Sequence, residues 1–308
     1  MFAPSPLLTV AIEGRPGTEP EIHVHAGGQG VRIARMLATL GLHVGLCGPF
    51  GGESGAVLVG LIEREGIEVR AVRATSGNGA YVHDRRGGER YEVASIATPT
   101  LNRHELDDLY NAALVEGLGS DVVVLSGPDH DRVLPANVYR RLASDVTTNG
   151  TQVVVDLSGP HLDEAAAGAA TVVKVSHDDL VEDGKAASED PAELLRAMSA
   201  LAACGAATVV VSRADQPTLA LVDGRVLEVR APIFERVDHR GAGDSMTAGI
   251  AAALARGADV ESALRLGAAA GALNVTRHGL ATGEPRLIER LATRVTIRRF
   301  DGAVRCES

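Results

Sequence analysis

The sequence predicts an α/β fold in which a doubly wound, mainly parallel sheet is flanked by helices and carries a small β-sheet lid. Three observations lead there. After residue 120, short β-branched runs alternate with Ala- and Leu-rich stretches; the first hundred residues hold strands of alternating polarity; and a glycine turn at 241–243 opens a long apolar helix. The 308 residues are 45% hydrophobic, enough to bury a full core. Residues 1–308 are expected to form one domain, with lid strands at approximately 7–25 and 78–96.

In chain order, LLTVAIEG (7–14), EIHVHA (21–26), GAYVHD (79–84) and ERYEVAS (89–95) alternate polar and apolar residues. Such strands have one wet face. The last two are joined by the turn-rich stretch 85–88, and helices are expected at 29–40 and near 53–65. Together the four strands read as a half-exposed sheet projecting from the main domain, and its wet face is expected to pair with a second copy in a homodimer. From 121 the strands DVVVLS (121–126), QVVVDLS (152–158), TVVKVS (171–176) and TVVVS (208–212) are nearly all apolar, as a parallel sheet covered on both faces requires. Helical composition at 136–148 and 190–204 completes a βαβα pattern. Residues 244–256 and 259–276 read as two further helices, with Gly257 as the stop between them.

The bulk numbers exclude several classes. A formal charge of −10 and a pI near 5.5 do not supply the basic surface that a nucleic-acid backbone needs. Cys47, Cys204 and Cys306 lie far apart and form no CxxC pair, so neither a disulfide framework nor a zinc ribbon is expected. Cys47, in an apolar stretch, reads as core. The N-terminus has no basic region or long apolar run, and no window approaches the ~20 apolar residues of a membrane span. A cytoplasmic protein without membrane or nucleic-acid partners is the expectation.

Chemistry concentrates in DHRGAGDSMTAGIAAAL, residues 238–254. Gly241, Ala242 and Gly243 allow a ligand to approach backbone N–H groups that, at a helix N-terminus, have no intrahelical partner; with the helix dipole they favour an anion such as a γ-phosphate. Asp244 beside them is suited to accept a proton from an attacking hydroxyl. An ordinary helix cap behind a glycine turn is the competing reading. Neither common phosphate motif is present. The only Gly-Lys pair, Gly184-Lys185, is followed by Ala186 and preceded by Asp179 where a P-loop has its first glycine, and Gly241-Ala242-Gly243 leads to Met246 where a dinucleotide fingerprint needs glycine.

A second segment, HAGGQGVRIARMLATLG (25–41), is a glycine turn opening a helix with Ile33, Leu37 and Leu40 on one face and Arg32, Arg35 and Thr39 on the other. From spacing, Arg32 is either a solvated arginine or a ligand contact. His23 and His25 share a strand face, but two ligands without a third make a poor metal site.

These segments resemble the two signatures of the ribokinase-like, or phosphofructokinase-B, carbohydrate kinase family. Residues 238–254 look like its C-terminal signature; AGGQGVRIA and GPFGGESG at 48–55 look like its N-terminal one. VVVLSG (122–127), VVVDLSG (153–159) and VVKVSHDDL (172–180) follow in the family's order. Within it, the pattern is most similar to 1-phosphofructokinases and tagatose-6-phosphate kinases. The resemblance implies ATP-dependent transfer to a hydroxyl of a small sugar or sugar phosphate, with Asp244 as base and the amides of Gly241, Ala242 and Gly243 as an anion hole. It implies nucleotide contacts at Lys174, Ser176, Ser212, Arg213 and Asn274, and acceptor contacts at Thr9, Gly27, Gly28, Gln29, Arg32 and Asp244. Asp179 stands at the magnesium position of the N-x-x-E motif, here Ser176-His177-Asp178-Asp179, and would act through water. Asp238 stands where many members hold a monovalent cation.

Several positions depart from the family pattern. Thr9 replaces the sugar-gripping aspartate, Gln29 a lysine and Arg32 an asparagine; the T-R-x-N-V phosphate strand reads Asn78-Gly79-Ala80-Tyr81-Val82, and the nucleotide loop S-x-G-x-x-G reads Ser212-Arg213-Ala214-Asp215-Gln216-Pro217. Three readings therefore stay open: a sugar-phosphate kinase, a kinase for a nucleoside or non-phosphorylated sugar, and a degenerate sugar or nucleotide sensor.

Overall fold

The computed structural model describes residues 1–14, 19–235, 240–276, 281 and 283–300. The N-terminal third supplies β1 (Leu7–Glu13), β2 (Glu21–Gly27), α1 (Gln29–Thr39), β3 (Gly45–Phe50), α2 (Gly52–Arg64), β4 (Glu68–Arg73), β5 (Ala80–Asp84) and β6 (Tyr91–Ile96). After α3 (Arg103–Leu118) comes the series β7 (Val122–Ser126), α4 (Asn137–Thr148), β8 (Gln152–Asp156), α5 (Gly159–Ala167), β9 (Val172–Ser176), α6 (His177–Glu182), α7 (Pro191–Cys204) and β10 (Thr208–Arg213). β11 (Gln216–Val222), β12 (Arg225–Arg230), α8 (Ala242–Ala255), α9 (Val260–Asn274), α10 (Pro285–Ala292) and β13 (Thr296–Arg299) complete the chain.

The main sheet runs β13-β12-β11-β10-β9-β8-β7. Its apolar strands pair in parallel from β7 to β10, as the sequence predicts. Side chains alternate between two cores: Val124, Val154, Val172 and Val210 enter the one built with α1, α8 and α9, whereas Val123, Leu125, Val155, Val173 and Val211 enter the one built with α3, α4, α5 and α7. Burial on both faces is why these strands carry no polar alternation. Beyond β10 the sheet turns antiparallel, so the parallel strands carry an antiparallel edge. The cause is local. Ala214 and then Asp223-Gly224 adopt positive φ, giving two tight hairpins where a helical crossover would be needed to continue in parallel.

Phe2 stitches the N-terminus into the structure, bridging Cys47 of β3 and Leu125 of β7 in parallel. Cys47 is buried in the core as expected. The lid is a four-stranded sheet, β2-β1-β5-β6. Its register places Val10 between Val24 and Val82, Ile12 opposite Ile22, and Ala80 opposite Ile96, so these apolar residues share one face. Thr9 between His25 and Tyr81, and Ala11 between His23 and His83, form the other. It is this polar face that turns inward over a cavity. The apolar face looks out, with Ile22 68%, Val24 42% and Tyr91 72% exposed, while Ile96 reaches the rim of the cavity. The expectation that the wet face would be the open, pairing face is therefore corrected: what the polar side covers is a solvent-filled cleft, which polar side chains suit.

Helix α8 is apolar almost all round because it is buried between α1, α9 and the sheet. It approaches α9 backbone to backbone. A Cβ at Gly249 would lie 2.7 Å from Gly267 Cα, and one at Gly267 2.8 Å from the Met246 carbonyl oxygen. That close contact fixes where the N-terminus of α8 emerges.

Candidate active site

Gly241 caps α8 in the left-handed region at φ 76°, a conformation that costs glycine nothing. The following N–H groups of Ala242, Gly243 and Asp244 open onto two cavities. The first, about 860 Å³, lies under the lid and is lined by Thr9, Gly27, Gly28, Tyr81, His83, Arg32, Arg85, Arg90, Arg240, Asp129 and Asp244 among others. The second, about 660 Å³, lies across the carboxyl ends of β9 and β10 and is lined by Lys174, Ser176, Ser212, Arg213, Pro217, Met246, Ala272 and Val275. Gly243 borders both, Asp244 only the first, Ala242 and Lys174 only the second. The glycine turn is thus the wall between two pockets of ligand size.

Beneath it sits a buried relay. Thr247 Oγ1 donates to Asp156 Oδ2 at 2.6 Å, and Lys174 Nζ donates to both oxygens of Asp156 at 3.1 and 3.3 Å. All three residues are at most 5% exposed. Burial by itself pushes the Lys174 ammonium down; Asp156 and Asp244 outweigh it, and the net direction is upward, so the lysine is held charged. A Cβ at Gly243 would stand 2.7 Å from Lys174 Nζ, so a larger residue there would displace the lysine's ammonium. Asp156 and Thr247 escaped the sequence reading. The usable signal was a charged residue ending an otherwise apolar parallel strand at its carboxyl edge, where ligands bind in such folds.

Asp244 is buried, and its carboxylate accepts from Arg32 Nε; among the described residues each is the other's sole hydrogen-bonding side chain. Arg32 is therefore paired at Nε, with its side chain 28% exposed at the cavity. Arg35, its helix neighbour, grips Glu65 through two nitrogens, at 2.6 and 2.8 Å, and donates to the Ala26 carbonyl. Gly28 holds φ 96° with a Cβ position only 2.4 Å from the Ser5 carbonyl oxygen, so the turn before α1 passes tightly over the N-terminal segment.

On the lid side, Arg85 and Arg90, together with Arg240, crowd His83. Burial first and then these three guanidinium groups hold its imidazole down at about 4. Arg90 stacks on Tyr81, 4.3 Å from the ring centroid, and has no carboxylate partner among the described residues. None of the three arginines stands at a position the sequence reading singled out.

Other expected site residues fall elsewhere. The Gln29 carboxamide accepts from Gly127 N at 2.6 Å and borders a separate cleft of about 290 Å³, not the acceptor-sized cavity. Asn274, expected at the nucleotide, is 1% exposed; it donates to the Arg240 carbonyl and accepts from Ala281 N, so it braces the loop behind the turn. Asp179 closes a capping box with Ser176 at the start of α6, while also bordering the small cleft that Asp156 borders. Asp238 lies outside the described residues. His23 and His25 stack with centroids 6.0 Å apart, and among the described residues no three His, Cys, Asp or Glu side chains are placed to hold a metal ion.

Residues 7–287 match the profile described as pfkB family carbohydrate kinase. The chain is 30% identical over 261 residues to ATP-dependent 6-phosphofructokinase isozyme 2 of Escherichia coli (strain K12), covering 82% of each, and 26% identical over 278 residues to 1-phosphofructokinase of Bacillus subtilis (strain 168), covering 90% and 89%. Among solved structures it is similar to phosphofructokinase-2 from Escherichia coli in complex with potassium, with a TM-score of 0.81 at 26% identity over 95% of this chain and 97% of that one. It shares the fold of Arabidopsis thaliana ribokinase, TM-score 0.70 at 20% identity, over 94% and 97%.

Proposed function

The chain belongs to the pfkB family of carbohydrate kinases and is an ATP-dependent kinase of a sugar or sugar phosphate; from that premise we propose how its residues divide the reaction. The observation that carries the proposal is the position of Gly243 between the two cavities, with Asp244 facing the lid side and Lys174 the other. ATP occupies the cavity over β9 and β10, its phosphates directed toward Lys174 and the turn, with Ser176, Ser212 and Arg213 along its wall. The acceptor lies under the lid against Thr9, Gly27, Gly28 and Arg32.

The acceptor hydroxyl attacks the γ-phosphorus, forming the new O–P bond as its proton passes to Asp244. The bond from the γ-phosphorus to the bridging oxygen breaks, and ADP leaves with that electron pair. The N–H groups of Gly241, Ala242 and Gly243 hold the transferring group; one such donor is worth about 3 kcal/mol of transition-state stabilisation. Lys174, kept charged and aimed by Asp156, adds fixed positive potential below it. The lid's polar face excludes bulk water from the base.

Magnesium fits as a water-bridged ion. Asp156 and Asp179 border one cleft, but their oxygens already accept from Lys174, Thr247 and Ser176, which leaves outer contacts of the kind magnesium keeps. Bound there it would neutralise nucleotide phosphate charge. A monovalent cation near Asp238 is part of the same reading, and turnover in potassium against sodium tests it.

The acceptor we assign is a phosphorylated sugar. The altered phosphate strand at 78–82 offers no cation, but Arg85, Arg90 and Arg240 bring three to the same cavity from other positions. We also read residues 1–308 as one cytoplasmic kinase domain that dimerises through the apolar outer face of the lid, where Ile22, Val24 and Tyr91 stand exposed. Among the described residues no helix is long and apolar enough to cross a membrane. ADP release from MgATP across hexose phosphates, free sugars and nucleosides, with Asp244→Ala as control, is the deciding experiment. Turnover with phosphorylated sugars that vanishes in the variant is expected; turnover with free sugars or nucleosides alone overturns the acceptor assignment, and silence overturns the residue roles.

A further inference from the structure

Arg32 and Arg35 leave the same helix, one turn apart, and both meet carboxylates, yet the two pairs are built differently. Arg35 holds Glu65 by Nε and Nη2 and adds a backbone carbonyl, a three-point clamp. Arg32 holds Asp244 through Nε alone. Its four remaining N–H donors have no partner among the described residues, its side chain is 28% exposed, and it borders both the acceptor cavity and the cleft beside it. A guanidinium bound at one nitrogen keeps its planar Nη fork for a second oxyanion. A carboxylate oxygen occupied by that guanidinium is not placed to accept a proton from an attacking hydroxyl.

We propose that Arg32 restrains Asp244 in the empty enzyme and is drawn off it by the acceptor's oxygens, so that the base is released only when there is a hydroxyl to deprotonate. The device answers a specific hazard. With ATP bound and no acceptor, water can occupy the place of the hydroxyl, pass its proton to Asp244 and attack the γ-phosphorus, releasing ADP and inorganic phosphate. A base whose carboxylate is tied to Arg32 promotes that attack poorly. The acceptor's oxygens engage the open Nη fork, and turning the guanidinium toward them breaks only the single Nε contact. This inference rests on the assignment of Asp244 as base. It makes Arg32 a positioning residue that couples acceptor binding to base release.

The test measures MgATP hydrolysis without acceptor in the wild type, Arg32→Gln, Arg32→Leu and Arg32→Lys, beside acceptor-supported ADP release in the same proteins. Both neutral variants are expected to hydrolyse MgATP roughly tenfold faster or more, within the range a general base supplies, and to lose that gain when Asp244→Asn is added. Arg32→Lys, which keeps a charge beside Asp244 but loses the planar fork, is expected to hydrolyse MgATP more slowly than either neutral variant. A merely structural arginine cannot give this pattern, because its loss lowers every activity. Hydrolysis unchanged or reduced in Arg32→Gln and Arg32→Leu, with acceptor-supported transfer intact in the wild type, overturns the restraint and leaves the kinase reading standing. Absence of transfer in the wild type with every acceptor, together with no hydrolysis in any variant, removes both. Two neutral variants at a partly exposed position guard against one of them failing to fold.

Discussion

The turn at the head of α8 and the lid sheet face each other across one cavity, and they are built on opposite principles. Around the turn, Lys174, Asp156, Asp244 and Thr247 are all buried, and small residues let helices touch backbone to backbone. In the lid, β6 is exposed along its whole length, and the charged groups that matter project from a sheet only four strands wide. Buried charges hold their geometry because an unpaired one is costly, so the chemistry is fixed. Departures from the family pattern fall on both sides: Thr9 and the 78–82 segment belong to the lid, Gln29 and Arg32 to α1, and residues 212–217 to the β10–β11 turn, whereas the glycine turn matches the pattern.

That contrast is most easily broken at Asp244. Asp244→Asn is expected to lower acceptor-supported turnover by about 10²–10⁴-fold, the contribution of a general base, with little change in melting temperature; a modest loss of rate would remove the turn from the chemistry. Next comes the relay beneath. Lys174→Met leaves Asp156 buried without its counter-ion and should cost about 3–5 kcal/mol of stability in urea unfolding, along with roughly 10²-fold in kcat. Gly243→Ala, whose Cβ would crowd Lys174 Nζ at 2.7 Å, should reproduce the kinetic loss with less destabilisation.

On the lid the effects should fall on binding. Arg90→Gln is expected to raise KM for a phosphorylated acceptor roughly 10- to 100-fold, the worth of one charge-assisted hydrogen bond, with kcat nearly kept and a neutral sugar unaffected. Equal losses for charged and neutral acceptors would erase the division of labour between the two regions. Val24→Glu with Ile22→Glu, placed on the apolar outer face, should convert a dimer to a monomer in sedimentation, leaving the fold intact. The smallest effect concerns His83, whose folded value of about 4 lies below the unfolded 6.5. Its neutral form therefore contributes stability that is present above pH 6.5 and is lost as pH falls toward 4. The acid side of a melting-temperature profile should flatten in His83→Gln, and a phosphate bound beside Arg90 should raise the His83 value in an NMR titration.

Much of this molecule was legible in the chain because its signals are local. Unbroken β-branched runs mark strands buried on both faces, period-two alternation marks the lid, and a glycine turn ahead of an apolar helix marks the start of α8 at the wall between the two cavities; each is a property of a few consecutive residues. Tertiary structure decided the rest. Alternation in β1 and β2 determines that one face is polar but not which way it turns, and packing aimed it at the cavity. Asp156 looked like the end of a strand until folding brought Lys174 and Thr247 to it, 18 and 91 residues away. Arg32 reached Asp244 across 212 residues, and Asn274 was drawn behind the turn to hold the Arg240 carbonyl. The residue types and the local geometry come from the sequence, because backbone propensity and periodicity act over a few positions. Which charges meet is set by how α1, α8 and the β8–β9 edge pack, because side-chain contacts between distant segments exist only once the cores on both sides of the sheet have formed.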